Sequence, residues 1–514
     1  MTAVAKKQTW VADVTCVLVL ASVALAIGLP RYRAGIDWQD EGFLAYGAAQ
    51  VVEGQVPNRD FVSLQPPLSF YVAGAIFKLF GASLASLRIL GLSIHVLAPL
   101  LIYVISRNFM SCRLSTAAAA PAIVIGMPYF GFVPLAVWQG ITASLIAIAL
   151  YIPAALAQRR WLAFCAGIVT ALSLFLRHDQ GLYLIVSIAV LTIALRCAVD
   201  SQIAKSGLKV IFSVWLAGAA TVATAFTIFW WAEKALPEML KQLAVFPIVT
   251  YVKTSARPFP MFSAQRTLSQ NLMTLLYYAP PVLAGVAAVW IIWQILHRRF
   301  LRREAFLTFL AAWSALFYCQ VLTRSDPVHL LITLPPFFIL LAYGWGIFVA
   351  DFCARKFVKI CSSLSVAAVA ICFLYIIRPV VLPDVTKMNE ALELPRGGVR
   401  IENGVFTTDL VRRVQSYVPA DRSILALPYE PMFYFLCERR NPTRWNYLWP
   451  EDQTADDQAM FVQQAKNDAP AVVLVNNEKQ VTYIPAILDY VHREYRHAQN
   501  VSSLSIYIPP QPGP

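Results

Sequence analysis

A pair of carboxylates near the start of the chain has the composition of a general acid–base site. The pair, Asp40-Glu41, follows Asp37 closely, and Asp60 stands in the same polar stretch, residues 30–66. A positioned carboxylate can take a proton from a reacting hydroxyl, and its oxygens are also ligands for a hard divalent metal. The structural alternative is that Asp40 only caps a helix, because carboxylates are favoured at helix N-termini.

Two later segments each combine arginine, aspartate and histidine within six residues. Their candidate substrate-binding residues are Arg177, His178, Asp179, Arg324, Asp326 and His329. Arginine and histidine are hydrogen-bond donors suited to a phosphate group. One such segment alone is typical of a membrane-boundary anchor. Two of matching composition predict cations gathered with a carboxylate base around one pocket.

Long apolar blocks separate these polar segments. The 514 residues are 58% hydrophobic and 14% charged, and the mean hydropathy is +0.59. A soluble protein is about 45–50% apolar and about 25% charged. Twelve apolar blocks between residues 10 and 378 approach the roughly 20 residues that span a bilayer as a helix. The sequence therefore predicts a polytopic α-helical membrane protein.

The net charge of +13 comes largely from short basic loops between apolar blocks. This is the pattern of cytoplasmic loops and does not indicate nucleic-acid binding. The strongest basic loops, 297–303 and 351–359, are predicted to be cytoplasmic. The segments predicted to lie on the outer side are 30–66, 177–180, 233–271, 323–327 and 384–514.

Parity then requires an even number of membrane crossings between residues 67 and 137. Three apolar segments stand there, so we expect 11 or 13 transmembrane helices rather than 12. The apolar residues that follow Glu41 at helical spacing predict a short amphipathic helix in the outer membrane interface, ended by Gly54.

The chain changes character after residue 383. Short predicted strands, 423–427 and 471–475, alternate with helical stretches, 430–439 and 484–494, which is typical of a small α/β domain. We therefore predict two domains, a transmembrane domain over 1–383 and an extracytoplasmic α/β domain over 384–514. The nine cysteines show no paired spacing for a zinc site or a disulfide framework.

The first outer loop resembles a known family. The residues that carry the resemblance are Asp40-Glu41, Gly54, Pro57, Asp60-Phe61, Pro66-Pro67-Leu68, Phe80-Gly81, Ser83 and Arg88. They resemble the first outer loop of GT-C fold glycosyltransferases. The nearest likeness is to the bacterial relatives of family 39, which includes protein O-mannosyltransferases and lipid A aminoarabinose transferases. Segments 177–181 and 324–329 are similar to those of bacterial members of unassigned acceptor.

The resemblance implies that Asp40 is the catalytic carboxylate and that the donor is a sugar on a polyprenyl phosphate. It implies no metal cofactor, although Asp37, Asp40 and Glu41 could ligate one. The chain departs from the aminoarabinose transferases at Arg177–Gly181, where they tend to have Lys-Gly-Pro, so the sugar and the acceptor stay open. It has no second acidic motif or WWD-like signature of an oligosaccharyltransferase, so transfer of a whole oligosaccharide is not expected.

These observations predict an inverting glycosyltransferase on the outer side of a bacterial cytoplasmic (inner) membrane. Asp40 would be the base, Glu41 would position it or the acceptor, and Arg88 and the two paired segments would bind the donor phosphate. The acceptor stays open among a glycan, a lipid and a protein.

Three alternatives stay open. A glycan polymerase or ligase usually has one large outer loop late in the chain, and residues 233–271 are a modest version of it. A lipid-glycan transporter or flippase would place ionisable residues near the bilayer midplane and often contains repeats, and neither feature is visible. A non-enzymatic scaffold that kept the fold is the third.

Overall fold

The computed structural model describes residues 3–200, 205–245, 251–353, 356–450 and 452–510. Parts of the predicted loops 233–271 and 351–359, namely residues 246–250 and 354–355, lie outside the described residues, as do 451 and 511–514 of the predicted second domain. The helices are, in chain order, α1 (Ala3–Gly28), α2 (Asp40–Val52), α3 (Leu68–Phe80), α4 (Leu84–Ser106), α5 (Cys112–Ala119), α6 (Pro121–Val124), α7 (Ala136–Ala157), α8 (Arg160–Leu176), α9 (His178–Cys197), α10 (Lys205–Ala232), α11 (Leu236–Val245), α12 (Val252–Ser255), α13 (Leu268–Leu296), α14 (Arg302–Thr323), α15 (Pro327–Leu331), α16 (Leu334–Phe352), α17 (Lys356–Val381), α18 (Gly404–Tyr417), α19 (Pro431–Cys437), α20 (Ala455–Asn467) and α21 (Pro485–Glu494).

Most of these helices form a membrane bundle. Among the described residues, eight helices have the length and hydropathy of a membrane span: α1, α4, α7, α9, α10, α13, α14 and α16. Large apolar side chains such as Trp231, Val289 and Leu296 are exposed on α10 and α13. Exposure of that kind is expected where lipid rather than water surrounds a helix. The chain is a multi-pass membrane protein, as predicted.

The short helices explain the parity of residues 67–137. Helix α3 has 13 residues and is therefore about 20 Å long, too short for a hydrocarbon core of about 30 Å. Its Phe77 instead stacks on Phe435 of α19 at 5.6 Å. Helix α4 is long enough for one pass, and the stretch from α5 through α6 leads back to Gly131, which accepts a hydrogen bond from Arg88 near the start of α4. Two crossings between residues 67 and 137 satisfy the predicted parity, whereas the total of 11 or 13 transmembrane helices stays a prediction.

The predicted basic loops meet at the opposite end of the bundle. There Val199 donates to the Phe300 carbonyl at 2.9 Å, after α9 and before α14. Arg303 at the start of α14 pairs with Asp351 at the end of α16 at 2.9 Å. The loops after α9, before α14 and after α16 therefore lie together, and the side of the membrane that they face stays a prediction.

Helix α2 has the predicted bounds but not the predicted surroundings. Its residues from Glu41 to Gln50 are all buried, so the prediction of an amphipathic helix in the membrane interface is wrong. Small residues allow this burial: a Cβ on Gly42 would lie 2.5 Å from the Met432 nitrogen, and one on Gly47 would lie 2.6 Å from the Phe70 ring. The helix is enclosed by α3 and α19 instead of facing water.

The polypeptide after α17 forms a small α/β unit. Its strands are β1 (Glu390–Ala391), β2 (Arg400–Ile401), β3 (Ile424–Leu427), β4 (Val472–Asn476), β5 (Arg496–Val501) and β6 (Leu504–Ile508). The main sheet has the order β3-β4-β6-β5, with β3 and β4 parallel and the other pairs antiparallel. The predicted strands 423–427 and 471–475 correspond to β3 and β4 within one residue. Apolar side chains of this sheet share one core with α2 and α3.

Candidate active site

The start of α2 is capped by Asp37 rather than by Asp40. The Asp37 Oδ1 atom accepts hydrogen bonds from the backbone nitrogens of Gln39 at 3.0 Å and Asp40 at 2.9 Å. Asp37 thereby satisfies donors that a helix N-terminus leaves without an intrahelical partner. The capping role considered for Asp40 thus belongs to a neighbour, and the Asp40 carboxylate is oriented away from the helix backbone.

Glu41 and Arg88 form a buried ion pair that fixes α2 to α4. Arg88 Nε donates to Glu41 Oε1 at 2.5 Å and Nη2 donates to Oε2 at 2.6 Å, and both side chains are at most 1% exposed. The guanidinium also donates to the carbonyl oxygens of Gly131 and Gly35. Because these bonds engage all three guanidinium nitrogens, Arg88 orients Glu41 instead of facing a phosphate-sized opening.

Asp60 is engaged within the first loop. It accepts hydrogen bonds from the Val56 nitrogen at 2.7 Å and from Arg59 Nε and Nη2 at 2.8 Å each. The Arg59 bonds lower the pKa of the Asp60 carboxyl. Arg59 also reaches Glu233, beyond the end of α10, at 2.6 Å. Asp60 therefore holds the loop against the bundle, and its contacts do not bring it to Asp40.

Asp40 receives a hydrogen bond from the α/β unit. Tyr429 Oη donates to Asp40 Oδ1 at 2.8 Å, although the two residues are 389 positions apart. The carboxylate stays solvent-accessible, but it lies in a recess with protein around it. This burial raises its pKa, and the charge of Asp37 adds to the effect, while the Tyr429 hydrogen bond and the charges of Arg324 and His329 oppose it.

The second paired segment forms a compact ion cluster beside Asp40. Asp326 Oδ2 accepts from Arg324 Nε at 2.6 Å, and Oδ1 accepts from His329 Nδ1 at 2.7 Å and from the His329 backbone at 3.0 Å. Burial raises the pKa of Asp326, but the hydrogen bonds from His329 and the charge of Arg324 outweigh it and lower the pKa to about 2. Asp326 is therefore an anion that holds the Arg324 guanidinium and the His329 ring in place.

The first paired segment contacts α14 close to the second segment. Arg177 Nε donates to Asp179 Oδ1 at 2.9 Å, and Asp179 Oδ2 accepts from Gln320 Nε2 of α14 at 2.7 Å. Gln320 belongs to the last turn before Arg324, so the two segments converge as predicted from their composition. His178 is different: its buried Nδ1 has no hydrogen-bond partner within the described parts of the chain.

Tyr251 connects the two segments. Its hydroxyl accepts from Arg324 Nη1 at 3.4 Å and is 3.1 Å from His329 Nε2. It is also close enough to Arg177 to interact with its charge. Nearby, Trp449 Nε1 donates to Thr254 Oγ1 at 3.4 Å, which ties the α/β unit to α12. The recess is thus bounded by α2, the two ion clusters and the loops of the α/β unit.

Comparison with known proteins identifies the fold. No family model and no curated protein sequence matches the chain. The structure is similar to the archaeal oligosaccharyltransferase AglB from Archaeoglobus fulgidus, solved with an inhibitory peptide and a dolichol-phosphate. The TM-score is 0.58 at 11% identity, over 98% of this chain and 75% of that one. It is also similar to ArnT from Cupriavidus metallidurans bound to undecaprenyl phosphate, with a TM-score of 0.56 at 12% identity, over 97% of each chain.

The chain has the GT-C fold. The resemblance noted in residues 37–88 is confirmed at the level of the fold, and it extends over nearly the whole chain. At such low identities the likeness concerns the fold alone.

The aromatic side of the recess was not predicted. Tyr429 packs against Tyr447 at 5.2 Å and against Trp449 at 6.1 Å between ring centroids, and all three come from loops of the α/β unit. Tyr429 follows the end of β3, which is paired in parallel with β4. Sites in sheets of this kind gather at the carboxyl ends of parallel strands, and that rule is the signal that could have found Tyr429.

Whether a metal ion could bind near Asp40 depends on which carboxylate oxygens there already have hydrogen-bond partners. Asp37 Oδ1 is used by backbone nitrogens and both Glu41 oxygens by Arg88, so the other two candidate ligands already have partners. Among the described residues there is no group of three or more His, Cys, Asp or Glu side chains placed to hold a metal ion. Independence from metal stays a prediction from the resemblance.

Proposed function

We propose that this protein is a membrane glycosyltransferase that moves a sugar from a polyprenyl-phosphate donor to an acceptor hydroxyl. The observation that carries the proposal is the accessible Asp40 carboxylate beside the Arg324–His329 cluster, in a fold shared with ArnT and AglB. Those two structures hold undecaprenyl phosphate and a dolichol-phosphate respectively. A base and cations next to each other are what transfer from a lipid phosphate requires.

The proposed step is a single inverting displacement. Asp40 accepts the proton of the acceptor hydroxyl while that oxygen bonds to the anomeric carbon. The bond from the anomeric carbon to the phosphate oxygen breaks, and its electron pair leaves with the polyprenyl phosphate. The leaving phosphate is an anion and needs no proton, so one base is sufficient if cations stabilise the departing charge.

The surroundings of Asp40 are suited to a base. Burial and the Asp37 charge raise its pKa, which makes the ionised form a stronger proton acceptor. The Tyr429 hydrogen bond and the nearby cations oppose this shift and favour the ionised form. Glu41, held by Arg88, positions the first turn of α2 and hence Asp40.

We assign Arg324 and His329 to binding the phosphate of the donor. Arg177 has a supporting role beside them. Asp326 and Asp179 hold the two arginines in place. A phosphate can replace a carboxylate as the partner of a guanidinium because the planar fork of donors fits both. His178, whose Nδ1 has no protein partner among the described residues, is a further donor for a substrate oxygen.

The site is assigned to the outer side of a bacterial cytoplasmic membrane. The support is the distribution of charge, because the basic loops lie at the opposite end of the bundle from Asp40. In a cysteine-free background, Ser325→Cys should react with an impermeant thiol reagent on intact cells. Arg299→Cys, exposed at the other end, should react only after permeabilisation. The reverse pattern would invert the assignment.

The function is tested by mass spectrometry of envelope glycans and lipids. Cells that lack the gene should lose one sugar substituent and accumulate its polyprenyl-phosphate donor. Expression of the wild type should restore the substituent, and Asp40→Asn at equal membrane abundance should not. Envelopes that are identical with and without the gene would refute the transferase, and accumulation of the product on the wrong side of the membrane would favour a flippase.

A further inference from the structure

A second cavity adjoins the catalytic loop, and no residue of the two ion clusters lines it. Its volume is about 460 Å³, and it lies between the segment before α2 and the α/β unit. The lining residues that matter here are Asp37, Trp38, Gln39, Glu430, Phe433 and Asn476. The volume falls in the range of about 300–1,000 Å³ that is usual for small-molecule sites.

The floor of this cavity is a fixed polar group. Glu430 is 4% exposed, and its Oε1 accepts from Asn476 Nδ2 at 2.5 Å. Asn476 Oδ1 in turn accepts from Ser503 Oγ at 2.7 Å. A carboxyl, an amide and a hydroxyl in one connected set offer both donors and acceptors, and the set is held in place before any ligand enters.

The wall of the cavity is aromatic. Trp38 is half-buried and packs against Phe433 with ring centroids 5.1 Å apart at an interplanar angle of 33°. Phe433 belongs to α19, so the Trp38 ring is supported from behind. A supported aromatic face beside a group of donors and acceptors matches a pyranose, which has an apolar C–H face and a rim of hydroxyls.

The cavity and the catalytic site share two short segments. Asp37 lines the cavity, and its carboxylate also holds the Asp40 nitrogen at 2.9 Å. Tyr429 donates to Asp40, whereas the next residue, Glu430, contributes to the cavity. The cations assigned to the phosphate lie with Tyr251 in the recess and do not line the cavity. An in-line displacement needs the acceptor and the leaving phosphate on opposite sides of the sugar.

We propose that this cavity is the acceptor subsite and that the acceptor is a glycan. A pyranose of the acceptor packs on Trp38, its hydroxyls bond to Glu430 and Asn476, and the attacking hydroxyl extends past Gln39 to Asp40. This inference rests on the proposed function, and it deepens that function by naming the acceptor class. It also gives the α/β unit a role in choosing the acceptor.

The test measures binding without transfer. Full-length protein carrying Asp40→Asn is placed in lipid nanodiscs, and saturation-transfer NMR is recorded with methyl pyranosides of glucose, mannose, galactose, N-acetylglucosamine and 4-amino-4-deoxyarabinose. At least one should bind, and a second substitution, Trp38→Leu, should weaken that binding by about tenfold through the lost aromatic contact. Glu430→Gln keeps an oxygen that can accept the hydrogen bond from Asn476, and it keeps the shape of the cavity floor. A loss of sugar binding in that variant therefore reflects the lost carboxylate and not unfolding.

The matched control is Asp409→Asn, which neutralises an exposed carboxylate on α18 of the same unit. Its binding should equal that of the parent protein. Binding of no pyranoside, or binding that Trp38→Leu and Glu430→Gln leave unchanged, overturns the subsite. So does saturable binding of short serine-containing peptides in place of sugars. Because the assay needs no turnover, its failure is separate from that of the transferase, which the envelope glycans report.

Discussion

The hydrogen bond from Tyr429 to Asp40 gives a prediction with a definite sign. Tyr429→Phe removes a donor that favours the ionised carboxylate, so the pKa of Asp40 should rise further above its usual value. Asp40 would then stay protonated, and inactive as a base, to a higher pH. The acidic limb of the pH–rate profile should move to higher pH, while the rate at high pH is nearly kept.

The size of the shift follows from the strength of the bond. A hydrogen bond to a charged group contributes about 1.5–3 kcal/mol, and 1.36 kcal/mol corresponds to one pKa unit. The Asp40 carboxylate is accessible to solvent, and water replaces part of the lost bond. The lower end of the range is therefore appropriate, and we expect a shift of about one unit.

The assay is the pH dependence of kcat for transfer in nanodiscs with both substrates saturating. Tyr447→Phe is the matched control, because it removes a hydroxyl from the ring that packs against Tyr429 and leaves the bond to Asp40 intact. Its profile should coincide with that of the wild type. If Tyr429→Phe lowers the rate by the same factor at every pH, or leaves the acidic limb in place, the hydrogen bond does not control the base.

Four further substitutions test other parts of the structure. Asp40→Asn should lower kcat by at least the ~10²–10⁴ typical of general base catalysis, and a variant that keeps about a tenth of the turnover would remove Asp40 from the mechanism. Arg324→Gln should raise the KM for the lipid-phosphate donor more than the KM for the acceptor, and equal rises in steady-state kinetics would contradict its assignment to the phosphate. Gly42→Ala should destabilise the protein by about 1–3 kcal/mol, because the new Cβ meets the backbone of α19; Gly285→Ala, which opens onto free space, is the thermal-unfolding control. Burial raises the pKa of Glu430 to about 7 from 4.5, so the folded state binds the proton more tightly than the unfolded state does. The free energy of unfolding should therefore fall by up to about 3 kcal/mol between pH 4.5 and 7. The unfolding of Glu430→Gln should lack that part of the pH dependence.

Hydropathy predicted the membrane helices well because the bilayer imposes one requirement on each of them. A span needs about 20 apolar residues, and that requirement is visible in local composition. It failed for the 13-residue helix α3, whose Phe70, Ala73 and Phe77 are buried within the protein, with Phe77 stacked on Phe435 of α19. A run of apolar residues indicates burial but does not say whether lipid or protein covers it.

The surroundings of α2 were predicted wrongly for a related reason. Apolar residues at helical spacing indicate one buried face, and the opposite face of an amphipathic helix is expected to contact water. Gly42 and Gly47 are instead the points where Met432 and Phe70 approach the helix. Glycine has no side chain to mark a contact, so a close approach cannot be distinguished from an exposed surface until the partner is known.

Local sequence identified the charged residues of the site but not their partners. Asp40, Arg324 and His329 stand out because their short segments combine carboxylates or cations that could act on a sugar phosphate with a position between apolar blocks. The pairing of Glu41 with Arg88 needs the packing of α2 on α4, and the contact of Tyr429 with Asp40 needs the whole chain to fold. Contacts between residues that lie far apart in the chain leave no periodic pattern in a single sequence.

The α/β unit is a structural part of the site rather than an attachment to the membrane bundle. It covers α2, where Asn446 Nδ2 donates to Gln50 Oε1 at 2.6 Å and the Asn441 backbone nitrogen donates to Tyr46 Oη at 2.8 Å. Without it, α2 would expose the apolar residues that it now buries, and Asp40 would lose the Tyr429 hydroxyl. The base therefore reaches its working environment only when both parts of the chain are docked. Deletion of the α/β unit, by ending the chain between α17 and β1, should accordingly abolish sugar transfer even if the membrane helices still insert into the bilayer.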